Sequence, residues 1–289
     1  DVVNIMTPSG MHAEHAIDII KKHKKHLVIE KPMCLKVSDG IDLIKMAKQN
    51  SVKLFIVHQN RFNKAIRKVR EAIDSKSFGK IALGTVRIRW SRGQSYYDRD
   101  LWRGTWAFDG GVLSNQAIHH IDLLRWLVGD IVSLSATAAT QLVKTEVEDT
   151  ACVLLKFRNG ALGIIEATTA ARPLNKDLEA SISILGENGT SIVEGASVNK
   201  LTTWTLDEID LNNYSENPPN VYGFGHNEII NNVVDTLMSR APGPFVTAED
   251  ALLTVRFLSA IYRSIELGGK EVRLIDNPIS EKLGVIDAK

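Results

Sequence analysis

Residues 1–57 read DVVNIMTPSGMHAEHAIDIIKKHKKHLVIEKPMCLKVSDGIDLIKMAKQNSVKLFIV. Val2 to Met6 is an apolar, partly β-branched run that predicts a strand, and Thr7-Pro8-Ser9-Gly10 turns the chain. Ala13, Ala16, Ile17 and Ile20 then recur at helical spacing between Met11 and Lys24. His26-Leu27-Val28-Ile29 predicts a second strand, which ends in Glu30-Lys31-Pro32. Ser38 is placed to cap a helix reaching about Gln49, and Lys53 to Val57 predicts a third strand. Strand, helix, strand, helix, strand implies a parallel sheet, because parallel neighbours need a crossover connection. Three strands are few for a doubly wound sheet, so the segment reads as a domain lacking its first part. Its first strand should have one side open, and an open apolar edge favours aggregation or pairing with a partner.

Working outward, the pattern changes near Lys80. Ile81 to Trp90, Ile131 to Leu142, Asp149 to Phe157, Ala161 to Ala170 and Leu178 to Leu185 read as strands. Asn159-Gly160 is a hairpin turn signal. Few helices intervene between the later strands, so this second sheet should be largely antiparallel. Helices are expected over Asn63 to Ser75, Leu113 to Val128, His226 to Ser239 and Ala248 to Leu267. Thr247, three before Asp250, is a cap for the last. Asp207 to Pro219 reads as a surface loop.

The whole chain has 289 residues with 35 Lys+Arg against 34 Asp+Glu, a net charge of +1 and a pI near 7.9. That balance argues against a nucleic-acid binder or a polybasic membrane-surface protein. With 44% hydrophobic and 24% charged residues, the composition is globular and not disordered. Uncharged stretches such as Ile131 to Val143 are shorter than the ~20 residues of a membrane helix. Cys34 and Cys152 cannot make a disulfide scaffold, and a reducing cytoplasm is the expected compartment.

Three clusters carry polar chemistry. Glu30-Lys31-Pro32 follows a parallel strand, at the edge where open α/β sheets bind ligands. A lysine there can contact a substrate hydroxyl; a solvated loop lysine is the plainer alternative. Thr7-Pro8-Ser9 with His12 feeds a helix N-terminus that can hold an anion, or is simply a cap. In Gly110-Gly111-Val112-Leu113-Ser114-Asn115-Gln116-Ala117-Ile118-His119-His120-Ile121-Asp122, Asn115 and His119 share a helix face. Asp122 is spaced to orient the His119 ring. A histidine acid or base and a hydrogen-bonded core histidine are both open readings. No metal is expected, since His119 and His120 point apart and no H-E-x-x-H occurs. Trp102-Arg103-Gly104-Thr105-Trp106 sets an arginine between aromatics, a grip for an anionic or sugar ligand or a packed loop. Tyr222-Gly223-Phe224-Gly225-His226 lacks the third glycine of a phosphate loop, and no G-x-G-x-x-G occurs anywhere.

Thr7 to His12, Glu30-Lys31-Pro32, and Gly110-Gly111 leading to His119 and Asp122 together resemble the glucose-fructose oxidoreductase / inositol dehydrogenase (Gfo/Idh/MocA) family, from residue 1 to about Leu274. His58 to Asn63, Gln94 to Asp98, Trp102 to Trp106, Asn115-Gln116-Ala117 and Val221 to His226 are similar to its UDP-N-acetylglucosaminuronate 3-dehydrogenase branch. The wider family carries Asp where Asn115 stands, and the UDP-sugar branch carries Asn. The resemblance implies an α/β fold: a partial Rossmann parallel sheet in residues 1–60, lacking its first βαβ unit, followed in 61–289 by an α+β domain with a largely antiparallel open sheet.

The implied activity is oxidation of the 3-hydroxyl of a UDP-linked N-acetylated uronic acid for bacterial surface polysaccharides. NAD is the expected cofactor, with NADP an alternative. Lys31 and His119 would be catalytic. Asn115, Arg103, Tyr222 and His226 would bind substrate, with Arg61 a further cation for its anionic groups. Thr7, Pro8, Ser9, His12, Glu30 and Lys31 would line the nicotinamide half of the cofactor site. The family's G-x-G-x-x-G unit, roughly 60–80 residues of such a fold, is not in this sequence, so a fragment or a truncated, weakly binding product is expected. The expected partners are a sugar nucleotide and further copies of the chain, as a dimer or tetramer, with no nucleic acid and no membrane. An inositol or simple-sugar substrate, or a non-catalytic relative, are the alternatives.

Overall fold

The computed structural model of the chain describes residues 1–174, 179–218, 220 and 222–286. It opens with strand β1 (Val2–Ile5), helix α1 (His12–His23), β2 (His26–Ile29), α2 (Val37–Gln49) and β3 (Leu54–Ile56). These strands form a parallel sheet in the order β1-β2-β3, with Ile5 opposite Ile29 and Ile29 opposite Ile56. Among the described residues β1 pairs only with β2. Ser38 is not the cap of α2. Lys36 holds that position without a side-chain bond, and the Ser38 hydroxyl donates to Asp39.

After α3 (Lys64–Asp74) come β4 (Ile81–Arg89) and the short helices α4 (Gln94–Asp98) and α5 (Val112–Asn115). Then follow α6 (Ile118–Val128), β5 (Ile131–Ala139), β6 (Thr150–Phe157), β7 (Leu162–Thr168), β8 (Glu179–Gly186), β9 (Thr190–Glu194) and β10 (Lys200–Trp204). The chain closes with α7 (Gly225–Leu237), α8 (Ala248–Glu266) and β11 (Val272–Arg273). Leu178, expected to begin a strand, lies outside the described residues, as do Pro219 and Val221. The second sheet has eight strands in the order β10-β9-β8-β4-β7-β6-β5-β11, antiparallel except for the pair β4–β7. β9, β10 and β11 extend it beyond the strands expected from sequence. Gly160 turns β6 into β7 at φ +87°, as Asn159-Gly160 implies. Asp207 to Pro218 is not wholly loop: Leu211–Tyr214 forms a 3-10 turn, and Leu211 and Tyr214 pack on the core.

The expected single helix from Leu113 to Val128 is broken. α5 ends at Asn115, and Gln116 and Ala117 separate it from α6. Gly111 is needed at the start of α5, because a Cβ there would overlap both the carboxylate and the backbone oxygen of Glu148. Gly225 serves α7 similarly: a Cβ would overlap the Gln59 carbonyl.

α8 belongs to both cores. Ala251, Leu252 and Val255 pack with the small sheet, while Phe257, Leu258, Ile261 and Tyr262 pack with α6 and the large one. Each fully buried aliphatic side chain of this kind contributes ~1.5–3 kcal/mol. Thr247 caps the helix, its hydroxyl accepting from the Asp250 N–H at 3.1 Å. Among the described residues no helix is long and apolar enough to cross a membrane. Cys34 and Cys152 are both free.

Candidate functional site

β1 and β2 run side by side, so Thr7–Ser9 and Glu30–Lys31 emerge at one edge of the small sheet. His12, buried at the start of α1, braces these two exits: Nδ1 lies 2.8 Å from the Pro32 carbonyl and Nε2 2.8 Å from that of Thr7. Burial lowers its pKa, partly offset by those carbonyls. The Lys31–Pro32 peptide is cis. Gly10 N–H donates to the Phe108 carbonyl and Met11 N–H to that of Pro8, both at 2.9 Å. Those turn amides are therefore used within the chain, and His12 holds the loops rather than presenting a ring to a ligand.

Lys31 reaches across from β2 to the break between α5 and α6. Its Nζ donates to the Asn115 carbonyl at 2.8 Å. The Asn115 side-chain amide donates in turn to Asp109, whose other oxygen accepts the Gly104 N–H at 2.8 Å. Asp109 is buried, and burial pushes its carboxyl up to about 6 against the pull of Gly104, Asn115, Lys31 and Arg103. Burial also lowers the Lys31 pKa, while the charges of Glu30 and Asp109 oppose that and Arg103 reinforces it. Sequence reasoning missed Asp109 because an acid before two glycines reads as a turn. Its signal was a charge placed beside an apolar helix.

His119, in the first turn of α6, is half-buried, and its Nδ1 is sealed from solvent with no hydrogen-bond partner among the described residues. Burial and then the Lys31 charge hold its pKa well below 6.5, so the ring is neutral at physiological pH. Asp122 does not orient it. Both Asp122 oxygens accept from Arg61, at 2.7 and 2.6 Å, and one also accepts the Thr254 hydroxyl at 2.7 Å. Arg61 reaches Asp250 at 2.5 Å as well, and Arg125 bonds the other Asp250 oxygen at 2.7 Å. Only 2% of Arg61 is exposed, so it is not a cation free for substrate. This closed network of two arginines and two aspartates pins the residues after β3 to α6 and α8. His120 is fully buried, with both ring nitrogens unpaired among the described residues and a pKa lowered by burial to about 4.

The remaining expected residues fall into two groups. Arg103 is sandwiched between Tyr96 and Trp102, at 4.6 and 4.5 Å from their rings, and bonds Asp100 and the Tyr96 hydroxyl. Trp106, expected as the second aromatic, faces Tyr262 instead. Arg92 and Arg99 also stand over Tyr96, at 5.5 and 5.9 Å. Gln116, next to Asn115, donates to the Tyr96 hydroxyl at 3.3 Å, joining this basic aromatic cluster to the Lys31 contact. In the second group, His226 at the start of α7 lies 3.5 Å from Glu30, and Tyr222 packs edge-on to His226. Burial pushes the Glu30 carboxyl up, but His226 and Lys31 outweigh it and hold it low. Among the described residues no group of three or more His, Cys, Asp or Glu side chains is arranged to hold a metal.

Residues 1–58 match the description "Oxidoreductase family, NAD-binding Rossmann fold", and residues 66–192 match "GFO/IDH/MocA C-terminal domain". Among solved structures, the WlbA dehydrogenase of Bordetella pertussis, in complex with NADH and UDP-GlcNAcA, is 39% identical with a TM-score of 0.89, covering 94% of this chain and 79% of that one. The WlbA dehydrogenase of Chromobacterium violaceum, with the same ligands, is 38% identical with a TM-score of 0.86, covering 94% and 77%. Myo-inositol 2-dehydrogenase of Thermotoga maritima is 31% identical over 176 residues, 59% of this chain and 50% of that protein. The matched region thus spans about half the length of the curated relatives. Two adjoining family domains and a 39% identical relative aligned over most of its length lead to one assignment: the chain belongs to the Gfo/Idh/MocA family of oxidoreductases.

Proposed function

We propose that this chain carries the catalytic and substrate-binding groups of an NAD-dependent dehydrogenase that oxidises the 3-hydroxyl of a UDP-linked N-acetylated uronic acid. Residues 1–60 would hold the nicotinamide end of the cofactor, and residues 61–289 would bind substrate and mediate self-association. The carrying observation is the cluster of Arg92, Arg99 and Arg103 on Tyr96, joined through Gln116 to the turn that holds Lys31. A sugar nucleotide bears a pyrophosphate and a uronate carboxylate, whereas an inositol is uncharged. Stacked guanidinium groups suit the former. The two WlbA relatives, solved with UDP-GlcNAcA, point the same way.

The residues present fit the nicotinamide end of NAD. Thr7, Pro8, Ser9, Glu30 and Lys31 sit at adjacent strand ends, and His119 Nδ1 is buried without a partner among the described residues, near the Lys31 charge. NAD, when bound, accepts a hydride from the substrate carbon. Lys31 holds the hydroxyl oxygen and stabilises the negative charge that develops on it, using ammonium hydrogens not taken by the Asn115 carbonyl. Neutral His119 takes the hydroxyl proton. Asn115 orients the sugar, Arg103 meets its anionic groups, and Tyr222 and His226 close the far side beside Glu30.

The test uses the protein as the cell makes it. Lys31→Ala and His119→Ala should each lower turnover of UDP-N-acetylglucosaminuronate by at least ~10²-fold. Arg103→Gln should raise KM for the UDP-sugar more than it alters NAD affinity. A second reading, a cyclitol substrate, is favoured by the 31% identity to a myo-inositol dehydrogenase. Equal turnover of myo-inositol and the UDP-sugar would overturn the sugar-nucleotide assignment and leave the dehydrogenase reading standing.

A further inference from the structure

Away from Lys31 and His119, a cavity of about 490 Å³ opens between the C-terminal end of α6, the outer side of α8 and residues 273–279. A volume of this size is that of a small-molecule site. Four arginines line it, Arg125, Arg158, Arg256 and Arg273, against one carboxylate, Asp130. The chain as a whole is nearly balanced, with 35 basic and 34 acidic side chains, so this excess is local. Arg125 is neutralised by Asp250, and Arg158 pairs with Asp130 at 3.2 Å. Among the described residues Arg256 bonds only the neutral Asn277 side chain, at 2.8 Å. Arg273 has no side-chain hydrogen bond or ion pair among the described residues, although its charge helps to lower the pKa of Glu271 outside the cavity. Among the described residues two guanidinium groups at the rim are thus left without a bonded acid.

Between them the wall is aliphatic. Leu253, Ile275 and Ile279 are 45%, 72% and 49% exposed, unusual for large apolar side chains gathered in one concavity. The ring of Phe257, the one aromatic in the lining, is fully buried and offers no face for stacking a base. A second cavity of about 410 Å³ shares Arg256, Asn277 and Ile279, so the groove continues toward α2.

We propose that this groove binds a small aliphatic anion: a hydrocarbon body on the Leu253 and Ile279 wall, with a terminal carboxylate or phosphate held by Arg256 and Arg273. The inference is independent of the proposed reaction. The probes are decanoate, decyl phosphate and inorganic phosphate, titrated by calorimetry, with hydrogen exchange to locate them. Decanoate or decyl phosphate should bind at one saturable site and protect residues 253–257 and 273–279. Whichever binds tighter identifies the headgroup. Arg256→Gln/Arg273→Gln should weaken binding at least tenfold, and Leu253→Asp, at an exposed position, should do the same by repulsion. UDP-N-acetylglucosaminuronate should not displace the ligand. The proposal is overturned by absence of saturable binding, by binding that both variants leave intact, by displacement by the UDP-sugar, or by inorganic phosphate binding as well as the alkyl anions. A shift of oligomeric state in the double arginine variant, with no alkyl anion bound by the parent, would likewise overturn it and assign the groove to a second copy of the chain.

Discussion

Replacing Asp122 by alanine separates two roles that the sequence left entangled. In the structure Asp122 receives two charge-assisted bonds from Arg61 and one from Thr254, while His58 stands 3.4 Å away. Removing it leaves Arg61, almost wholly buried, with Asp250 alone. Breaking a buried ion pair from one side costs about 3–5 kcal/mol, because the surviving charge stays desolvated. That is a large share of the ~5–15 kcal/mol that holds a typical domain together. Equilibrium urea unfolding at pH 7, followed by circular dichroism, should therefore show a midpoint well below that of the parent. Arg61→Met/Asp122→Leu, which removes both charges, should recover most of the loss, since apolar replacement of a buried pair is often neutral. Burial pushes the Asp122 carboxyl up, but the charge and hydrogen bonds of Arg61, with the charges of His58 and Arg125, together outweigh it and hold the carboxyl far below its ordinary range. Its folded pKa is depressed, so its contribution is present above the unfolded value near 3.8 and is lost as pH falls through the folded one. The parent should accordingly lose more stability than the double variant in acid below about pH 4. If Asp122→Ala costs under ~1 kcal/mol and instead abolishes turnover, the structural assignment fails and the residue acts on His119.

Three further outcomes follow from the same chemistry. Asp109→Asn removes a negative charge that supports the Lys31 ammonium, so the midpoint for pH-dependent labelling of the Lys31 amine, read by mass spectrometry, should fall. An unchanged midpoint would show that the two groups do not communicate. Burial pushes the Glu148 carboxyl up to about 7, so the parent should lose roughly 3 kcal/mol as pH rises from 4.5 to 7. Glu148→Gln, which can still accept from Tyr262 and Leu113, should show a flat profile in that window. Because the folded His119 pKa lies well below 6.5, turnover should hold on mild acidification to about 6. A decline centred at 6.5 that His119→Ala removes would contradict that environment.

The parallel half of the fold was legible because each of its strands is a compact apolar run set off by a turn or a helical period. β9 and β10 were not. Thr190–Glu194 and Lys200–Trp204 are five residues each, and they join the sheet by β9 pairing with β8 and β10 with β9, which no local pattern reveals. The interruption at Gln116 and Ala117 was invisible for another reason: neither residue breaks a helix by itself. Lys31 and Asn115 could be found by position along the chain, but their contact runs through a backbone carbonyl that only the break exposes. Arg61 was misread because an arginine between Asn60 and Phe62 looks solvated. The signal against that reading was Asp122, an acid between Ile121 and Leu123 that needs a cation wherever the helix is buried.

Residues 93–111, between the end of the β4 ladder and α5, take part in no strand pairing, yet they carry Tyr96, Arg99, Arg103 and Asp109. Lys31 and His119 lie outside that stretch. On the proposed function the part of this stretch before residue 104 is modular: an exchange confined to residues 93–103 would alter which molecules are accepted while leaving Asp109 and its link to Asn115 and Lys31 in place. On that reading, descendants of a common ancestor could diverge in diet while keeping Lys31 and His119, and grafting residues 93–103 between relatives is a route to redesigning selectivity in the laboratory.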